Sequence, residues 1–219
     1  MFINHGRHSG WIEVVCGPMF SGKTEELMRR LRLSLIAKQK IQIFKPATDN
    51  RFSEEHIVSH DNQKLLCSSV QSSAEILEHL RDHTHVIGID EAQFFDSRIV
   101  DICQKLASRG KRVIVAGLDQ DYLGNPFGPM PSLLAVAESV QKLTAVCMVC
   151  GGLASRSQRL TGESKQVLVG AKEHYEARCR ACFDPELGID RREDVQKARS
   201  EKPAAEQQKP KDLPKYISG

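Results

Sequence analysis

The sequence lacks an uninterrupted apolar run of the roughly 20 residues that a membrane-spanning helix needs. Its first ten residues contain two histidines and one arginine but no apolar stretch, so we expect no signal peptide. A strong excess of one charge is also missing, since 31 Lys and Arg face 28 Asp and Glu, a formal net charge of +3. The basic residues are spread along the chain, which disfavours a nucleic-acid partner. We therefore expect a cytoplasmic protein with no membrane and no nucleic-acid partner.

The remaining composition is that of a globular protein, with 40% hydrophobic and 27% charged residues in 219. Apolar runs with strand character alternate with segments of helical spacing to about residue 146. The predicted strands are 11–16, 41–44, 86–89, 113–116 and 143–146. Helices are predicted from Gly22, near Glu75, near Ile99 and over 133–140. This order predicts an α/β fold with a parallel sheet and helices on both faces.

A glycine-rich motif connects the first predicted strand to the first helix. It reads Gly17-Pro18-Met19-Phe20-Ser21-Gly22-Lys23-Thr24 and fits the pattern GxxxxGK[ST]. The glycines permit a tight turn whose N–H groups point at phosphates, and the following helix adds the positive end of its dipole. Lys23 would reach the β- and γ-phosphates, and Thr24 would offer a hydroxyl to Mg²⁺. The motif predicts a site for a nucleoside triphosphate with Mg²⁺; the alternative is a glycine turn with a surface lysine.

Two adjacent carboxylates, Asp90 and Glu91, follow the predicted strand 86–89. In a parallel sheet both emerge at the carboxyl edge, beside residues 17–24, which we call the phosphate loop or glycine-rich loop. Asp90 is expected to hold Mg²⁺ through water, and Glu91 to polarise an attacking hydroxyl or water. The alternative is a pair of solvated acids at the end of a strand.

Four of the seven cysteines form two CxxC pairs, Cys147 with Cys150 and Cys179 with Cys182. Two such pairs complete a closed tetrahedral site, which predicts a structural Zn²⁺. The alternative is redox chemistry at one of the pairs. We predict an ATP-binding α/β domain over 1–144, a zinc-binding domain over 145–190 and a flexible C-terminal tail over 191–219, where Lys, Glu, Gln, Ala and Pro dominate.

Several longer segments resemble the type II thymidine kinase family of the bacterial and cytosolic kind, over residues 11 to about 184. The segments are GPMFSGKT at 17–24, FKPATDNRF at 44–52, IDEAQFF at 89–95, GLDQDYLGNPFG at 117–128, AESVQKLTAVCMVCGGLASRSQR at 137–159 and VLVGAKEHYEARCRAC at 167–182. The resemblance implies a RecA-like P-loop domain that binds ATP and a small ribbon-like zinc domain that carries a lid loop over the nucleoside.

The resemblance also implies the chemistry and the site residues. Glu91 would be the base for the 5′-hydroxyl of thymidine, Asp90 and Thr24 would serve Mg²⁺, and Gln93 belongs to the same phosphate-side motif. The implied thymine pocket consists of Met19, Phe94, Leu118, Tyr122 and Phe127, where Tyr122 replaces a frequent Phe of the family.

The remaining implied contacts come from segments that the motif analysis leaves without a role. The stretch Gln166, Val167, Leu168, Val169 and Gly170 would reach the base through backbone groups. Asp49 and Tyr175 would meet the deoxyribose, and Arg51 and Arg159 are candidates for the transferred phosphate. A homotetramer with dTTP as feedback inhibitor is implied as well.

Four alternatives remain open. The first is the same chemistry on deoxyuridine rather than thymidine, and the second is a nucleic-acid-stimulated ATPase with a zinc ribbon. A third alternative is a zinc-built scaffold that binds nucleotide without chemistry. The apolar pocket residues also suit an ordinary core.

Overall fold

The computed structural model of the chain describes residues 9–47, 57–58, 64–65, 67–160, 174–185 and 187. The strands are β1 (Trp11–Cys16), β2 (Ile41–Pro46), β3 (Ile57–Val58), β4 (Lys64–Leu65), β5 (Ser68–Val70), β6 (Val86–Ile89), β7 (Arg112–Gly117), β8 (Ser139–Lys142), β9 (Ala145–Val146), β10 (Leu153–Ala154), β11 (Arg156–Arg159) and β12 (Tyr175–Arg178). The helices are α1 (Lys23–Ile36), α2 (Glu75–His79), α3 (Ile99–Ser108) and α4 (Met130–Val136), with a 3₁₀ turn over Ala92–Phe94.

Six strands form one sheet in the order β5-β2-β6-β7-β1-β8, and every neighbouring pair is parallel. The predicted parallel sheet is therefore confirmed. β7 lies between β1, which leads into the glycine-rich motif, and β6, which leads into the two acids. Because all three strands end at the same edge, the loop and the acids are only one strand apart.

Successive side chains of the strands pack on opposite faces of the sheet. Val15 of β1 and Ile114 of β7 contact Leu27 and Leu31 of α1 on one face. The other face contains the remaining large apolar cluster, which joins the sheet to α3 and α4: Ile12, Val14, Phe44, Ile87, Ile89, Val113, Val115, Ile99, Ile102, Leu106, Met130 and Leu133. The prediction of helices on both faces is confirmed.

A buried charge network fixes α1 to the strand before it. Glu13 of β1 is 7% exposed and accepts hydrogen bonds from Arg30 of α1 at 2.6 Å and from Arg112 of β7 at 2.6 Å. Burial alone would raise the pKa of Glu13, but hydrogen bonds and positive charge, from Arg112 first, outweigh it and lower the pKa. Both elements that flank the glycine-rich loop are thus held in place.

The predicted helix over 133–140 is wrong in its second half. α4 ends at Val136, and residues 139–142 form the edge strand β8, which pairs with β1 from Glu13↔Ser139 to Cys16↔Lys142. The Glu138 side chain also accepts a hydrogen bond from the Ile12 amide at 2.6 Å. Pairing with a strand distant in sequence outweighed the local helical pattern.

After β8 the chain forms two short antiparallel sheets, β9 with β10 and β11 with β12. The Met148 amide donates to the Ala177 carbonyl at 3.0 Å, which ties the first cysteine pair to β12. Within the described ranges, no helix has the length and apolar character required to cross a membrane.

Candidate active site

The glycine-rich loop curls between β1 and α1 with three residues at positive φ, Gly17 at 143°, Phe20 at 64° and Gly22 at 81°. A Cβ at Gly17 would lie 2.4 Å from the Leu143 carbonyl oxygen, so no larger residue fits at the start of the loop. Gly22 precedes the first residue of α1 in the left-handed region. These positions fix the backbone conformation that the phosphate-loop motif requires.

Lys23 begins α1 and lies folded against its own loop. Its Nζ donates to the Pro18 carbonyl at 2.7 Å, and the Ser21 hydroxyl donates to the same oxygen at 2.8 Å. Burial lowers the pKa of the Lys23 ammonium, and the negative charges of Glu91, Asp90 and Asp119 oppose that effect. The Lys23 side chain therefore lies close to the acidic ends of β6 and β7.

Asp90 joins the end of β6 to the start of α1. Its Oδ2 accepts a hydrogen bond from Thr24 Oγ1 at 3.2 Å, and its Oδ1 accepts one from the Glu91 amide at 3.0 Å. Burial, followed by the negative charge of Glu91, raises the pKa of Asp90 to about 7. The carboxylate and the threonine hydroxyl thus place two hard oxygen donors side by side, which is what Mg²⁺ takes as ligands.

Glu91 is held in one orientation by its neighbour in the 3₁₀ turn. Its backbone is left-handed, with φ 51° and ψ 40°, although it is not a glycine. Gln93 Nε2 donates to Glu91 Oε2 at 2.5 Å, while Gln93 Oε1 accepts from the Leu118 amide at 2.9 Å. Gln93 is 3% exposed. Through these two hydrogen bonds its side-chain amide connects Glu91 to the end of β7.

An aromatic wall follows the two acids. The rings of Phe94 and Phe127 meet edge to face with centroids 5.5 Å apart. The Phe127 amide donates to the Asp119 carbonyl at 3.2 Å, which holds the segment after β7 against the end of the sheet. The backbone amide of Met19, in the glycine-rich loop, donates to Ser157 Oγ of β11 at 2.9 Å.

Arg159 lies between two tyrosines rather than at a free surface. It is 2% exposed, and its Nε and Nη2 donate to Tyr175 Oη at 3.1 and 2.8 Å. Its guanidinium carbon lies 3.5 Å from the centroid of the Tyr122 ring. The structure therefore brings Tyr122, Tyr175 and Arg159 together into one stacked group.

Cys147, Cys150, Cys179 and Cys182 converge so that their sulfurs all lie within 4.8 Å of one another. The Cys150 and Cys179 sulfurs are 3.7 Å apart. Burial raises the pKa of the Cys147 thiol, but backbone amides, that of Cys179 first, outweigh burial and lower the pKa. The four-cysteine group could hold a metal ion.

Several predicted site residues lie outside the described residues, namely Asp49, Arg51, Gln166, Val167, Leu168, Val169 and Gly170. The sequence reasoning, in turn, missed three residues that the structure places at the site. Ser157 anchors the phosphate loop, and Lys142 Nζ lies 2.6 Å from Oδ2 of the buried Asp119. Asp119 was detectable as a polar residue directly after a buried strand; Ser157 and Lys142 carry no local signal.

Comparison with known proteins agrees with this geometry. A family model described as "Thymidine kinase" matches residues 10–183. A thymidine kinase of Rhodothermus sp. (strain ITI 518) is 57% identical over 185 residues, which cover 84% of this chain and 86% of the relative. A thymidine kinase of Bacteroides thetaiotaomicron is 52% identical over 181 residues, which cover 83% and 90% of the two chains.

The pKa of Asp90 predicts how its replacement changes stability. Because that pKa is raised to about 7 from the ordinary value of 3.8, the unfolded state releases the proton first as the pH rises. The contribution of Asp90 to folding stability is then fully present below the unfolded pKa and is lost as the pH rises through the folded pKa. We expect Asp90→Asn, which stays neutral, to melt at a higher temperature than the parent above about pH 7 and at a similar temperature near about pH 4.

The measurement is a series of thermal melts across this pH range, with protein freed of nucleotide and magnesium. Asp101→Asn, at an exposed position of α3, is the matched control and should shift the melting temperature equally at every pH. A constant difference between Asp90→Asn and the parent would contradict the raised pKa.

Proposed function

Since the chain belongs to the thymidine kinase family, we propose that it transfers the γ-phosphoryl group of ATP to the 5′-hydroxyl of thymidine, giving dTMP and ADP. The observation that carries this proposal is the convergence of the loop with two carboxylates: Thr24 Oγ1 lies 3.2 Å from Asp90 Oδ2, and Glu91 is the next residue. The family supports thymidine and ATP as the substrates.

In this proposal the amides of residues 17–24 and the start of α1 bind the triphosphate. Lys23 exchanges the Pro18 carbonyl, now at 2.7 Å, for phosphate oxygens. Thr24 and Asp90 hold Mg²⁺, and their adjacent oxygens fit a hard cation. The bound ion would neutralise charge on the β- and γ-phosphate oxygens. Deprotonated Asp90 is the form that the metal requires.

Glu91 accepts the proton of the 5′-hydroxyl as this oxygen approaches the γ-phosphate. A general base must be held where it can reach that proton, and the hydrogen bond of 2.5 Å from Gln93 supplies the restraint. We accordingly assign Gln93 to the positioning of Glu91 as well as to the phosphate-side motif. Since its other end binds the Leu118 amide, the base and the pocket wall share one support.

The nucleoside places its thymine base in the pocket lined by Met19, Phe94, Leu118, Tyr122 and Phe127. A neutral base suits such walls, because burial of apolar surface supplies affinity and a few polar groups supply orientation. Tyr175 contacts the deoxyribose. Arg159 Nη2 donates a hydrogen bond to the Tyr175 hydroxyl at 2.8 Å. We propose that Arg159 acts through the two tyrosines, because its guanidinium is already stacked between them.

A structural Zn²⁺ at the four cysteines is part of the proposal. A tetrahedral site with Zn–S distances of about 2.3 Å separates its sulfurs by about 3.8 Å. The 3.7 Å between the Cys150 and Cys179 sulfurs fits this arrangement. Four thiolates complete the coordination, so the metal would hold structure and leave no position for catalysis.

A homotetramer and inhibition by dTTP remain predictions from the resemblance. A cytoplasmic location, acceptance of deoxyuridine and the division at residues 144 and 190 also remain predictions. The roles of Asp49, Arg51 and residues 166–170, and the flexibility of the tail over 191–219, also remain predictions.

Replacement of the proposed base tests the reaction. Glu91→Gln keeps the shape and an acceptor for Gln93 but cannot take up a proton. We expect kcat for thymidine phosphorylation to fall by roughly 100- to 10,000-fold, with ATP binding retained. Steady-state assays of dTMP formation, together with a direct titration of ATP binding, give both quantities.

The matched control is Glu78→Gln, an exposed glutamate of α2, which should keep the parental rate. An unchanged kcat in Glu91→Gln refutes Glu91 as the base. A parental enzyme that turns over ATP with single-stranded DNA but not with thymidine refutes the kinase.

The zinc proposal has its own measurement. Metal analysis of purified protein should find one zinc per chain, and Cys150→Ser should lose most of it and unfold at a lower temperature. Met148→Ser changes an exposed neighbour, 64% accessible, and should retain the metal. A parental protein that contains no zinc when purified without chelators would contradict the assignment.

A further inference from the structure

Asp119 and Lys142 form an ion pair at the carboxyl edge of the sheet. The proposed reaction gives this ion pair no role. Asp119 lies two residues beyond β7 and is 7% exposed. Its Oδ2 lies 2.6 Å from Lys142 Nζ, whose side chain is half exposed. Because β7 and β8 flank β1 on opposite sides, the pair joins both neighbours of β1 beyond its last residue, Cys16.

The phosphate loop begins at this same point. Lys142 pairs in register with Cys16, and the next amide, that of Leu143, donates to the Cys16 carbonyl at 2.8 Å. The Leu143 carbonyl oxygen would lie 2.4 Å from a Cβ at Gly17. The residue that carries the positive charge is thus followed directly by the residue that contacts the start of the loop.

The charges of the pair act on the groups around the loop. Burial, then Asp119, raises the pKa of the Cys16 thiol to about 11, while Lys142 and Lys23 oppose the rise. The charge of Asp119 also acts on the Lys23 ammonium. Asp119, Lys142 and Lys23 therefore belong to one electrostatic neighbourhood.

A triphosphate brings several negative charges into this neighbourhood. A buried carboxylate there repels them, because burial removes the water that would screen its charge. A lysine at 2.6 Å cancels most of that field. The exposed half of Lys142 also lets the cation sit on the solvent side of the buried carboxylate.

We propose that Lys142 is a positioning residue for the phosphoryl donor: by neutralising Asp119 at the start of the phosphate loop, it allows a triphosphate to bind there. The proposal rests on the proposed function only in taking ATP as the donor. Lys142 acts through Asp119 and needs no contact with the phosphates.

The test is a set of four proteins: the parent, Lys142→Met, Asp119→Asn and the double variant. Binding of a fluorescent ATP analogue with Mg²⁺ is titrated at about pH 8. We expect Lys142→Met to weaken binding by about tenfold or more. The double variant should return to within about threefold of the parent, because the repelling charge leaves with its partner.

Kinetics supply a second readout. In Lys142→Met the KM for ATP should rise by a similar factor, while the KM for thymidine should stay within about twofold of the parent. Lys142→Arg keeps the charge and should bind the analogue nearly as the parent does. Lys105→Met, an exposed lysine of α3, is the control for loss of a positive charge elsewhere.

Unchanged binding in Lys142→Met would overturn the proposal. A double variant that binds the analogue as weakly as Lys142→Met would also overturn the proposal. The ion pair would then act only as a tether that holds the ends of β7 and β8 together. If Lys142→Met does not fold, the double variant and Asp119→Asn still decide: both lack the ion pair and the repelling charge, so parental binding supports the charge and weakened binding supports a tether. A parent that binds the analogue but does not phosphorylate thymidine refutes the proposed function alone.

Discussion

The hydrogen bond from Thr24 to Asp90 joins the phosphate loop to the acidic end of β6, and the rest of the site depends on this junction. It exists because β1 and β6 are parallel strands separated only by β7, so their carboxyl ends meet. Lys23 lies beside the same acids, whose negative charges oppose the effect of burial on its pKa.

The segment after β8 contributes to the site through its strands. β11 provides Ser157, which anchors the Met19 amide, and Arg159, which binds the Tyr175 hydroxyl of β12. These two strands pair with each other, and β12 leads into the second cysteine pair. A structural metal at the cysteines would thereby fix the distance between the phosphate loop and the tyrosines of the nucleoside side.

Local patterns were sufficient for much of the fold and for placing the glycine-rich loop and the two acids at one edge of the sheet. The strand before Asp90 is a continuous apolar run, and Glu13 alone interrupts the one before Gly17, because both faces of a parallel sheet are buried. The carboxyl ends of both strands could therefore be located directly. The edge strand β8 was missed because its alternating exposure arises from pairing with β1, which no local pattern records. The stacking of Arg159 on Tyr122 was missed for the same reason, since 36 intervening residues separate the partners. The role of Gln93 depends on the Leu118 amide at the end of another strand.

A crystal structure with thymidine, Mg²⁺ and a non-hydrolysable ATP analogue tests the central claim most directly. The account predicts that the γ-phosphate lies against the amides of residues 17–24 and Lys23. It also predicts a Glu91 carboxylate oxygen within about 3.2 Å of the 5′-hydroxyl, which faces the γ-phosphorus. A triphosphate bound away from this loop, or a 5′-hydroxyl far from Glu91 and directed away from the phosphate, would contradict it.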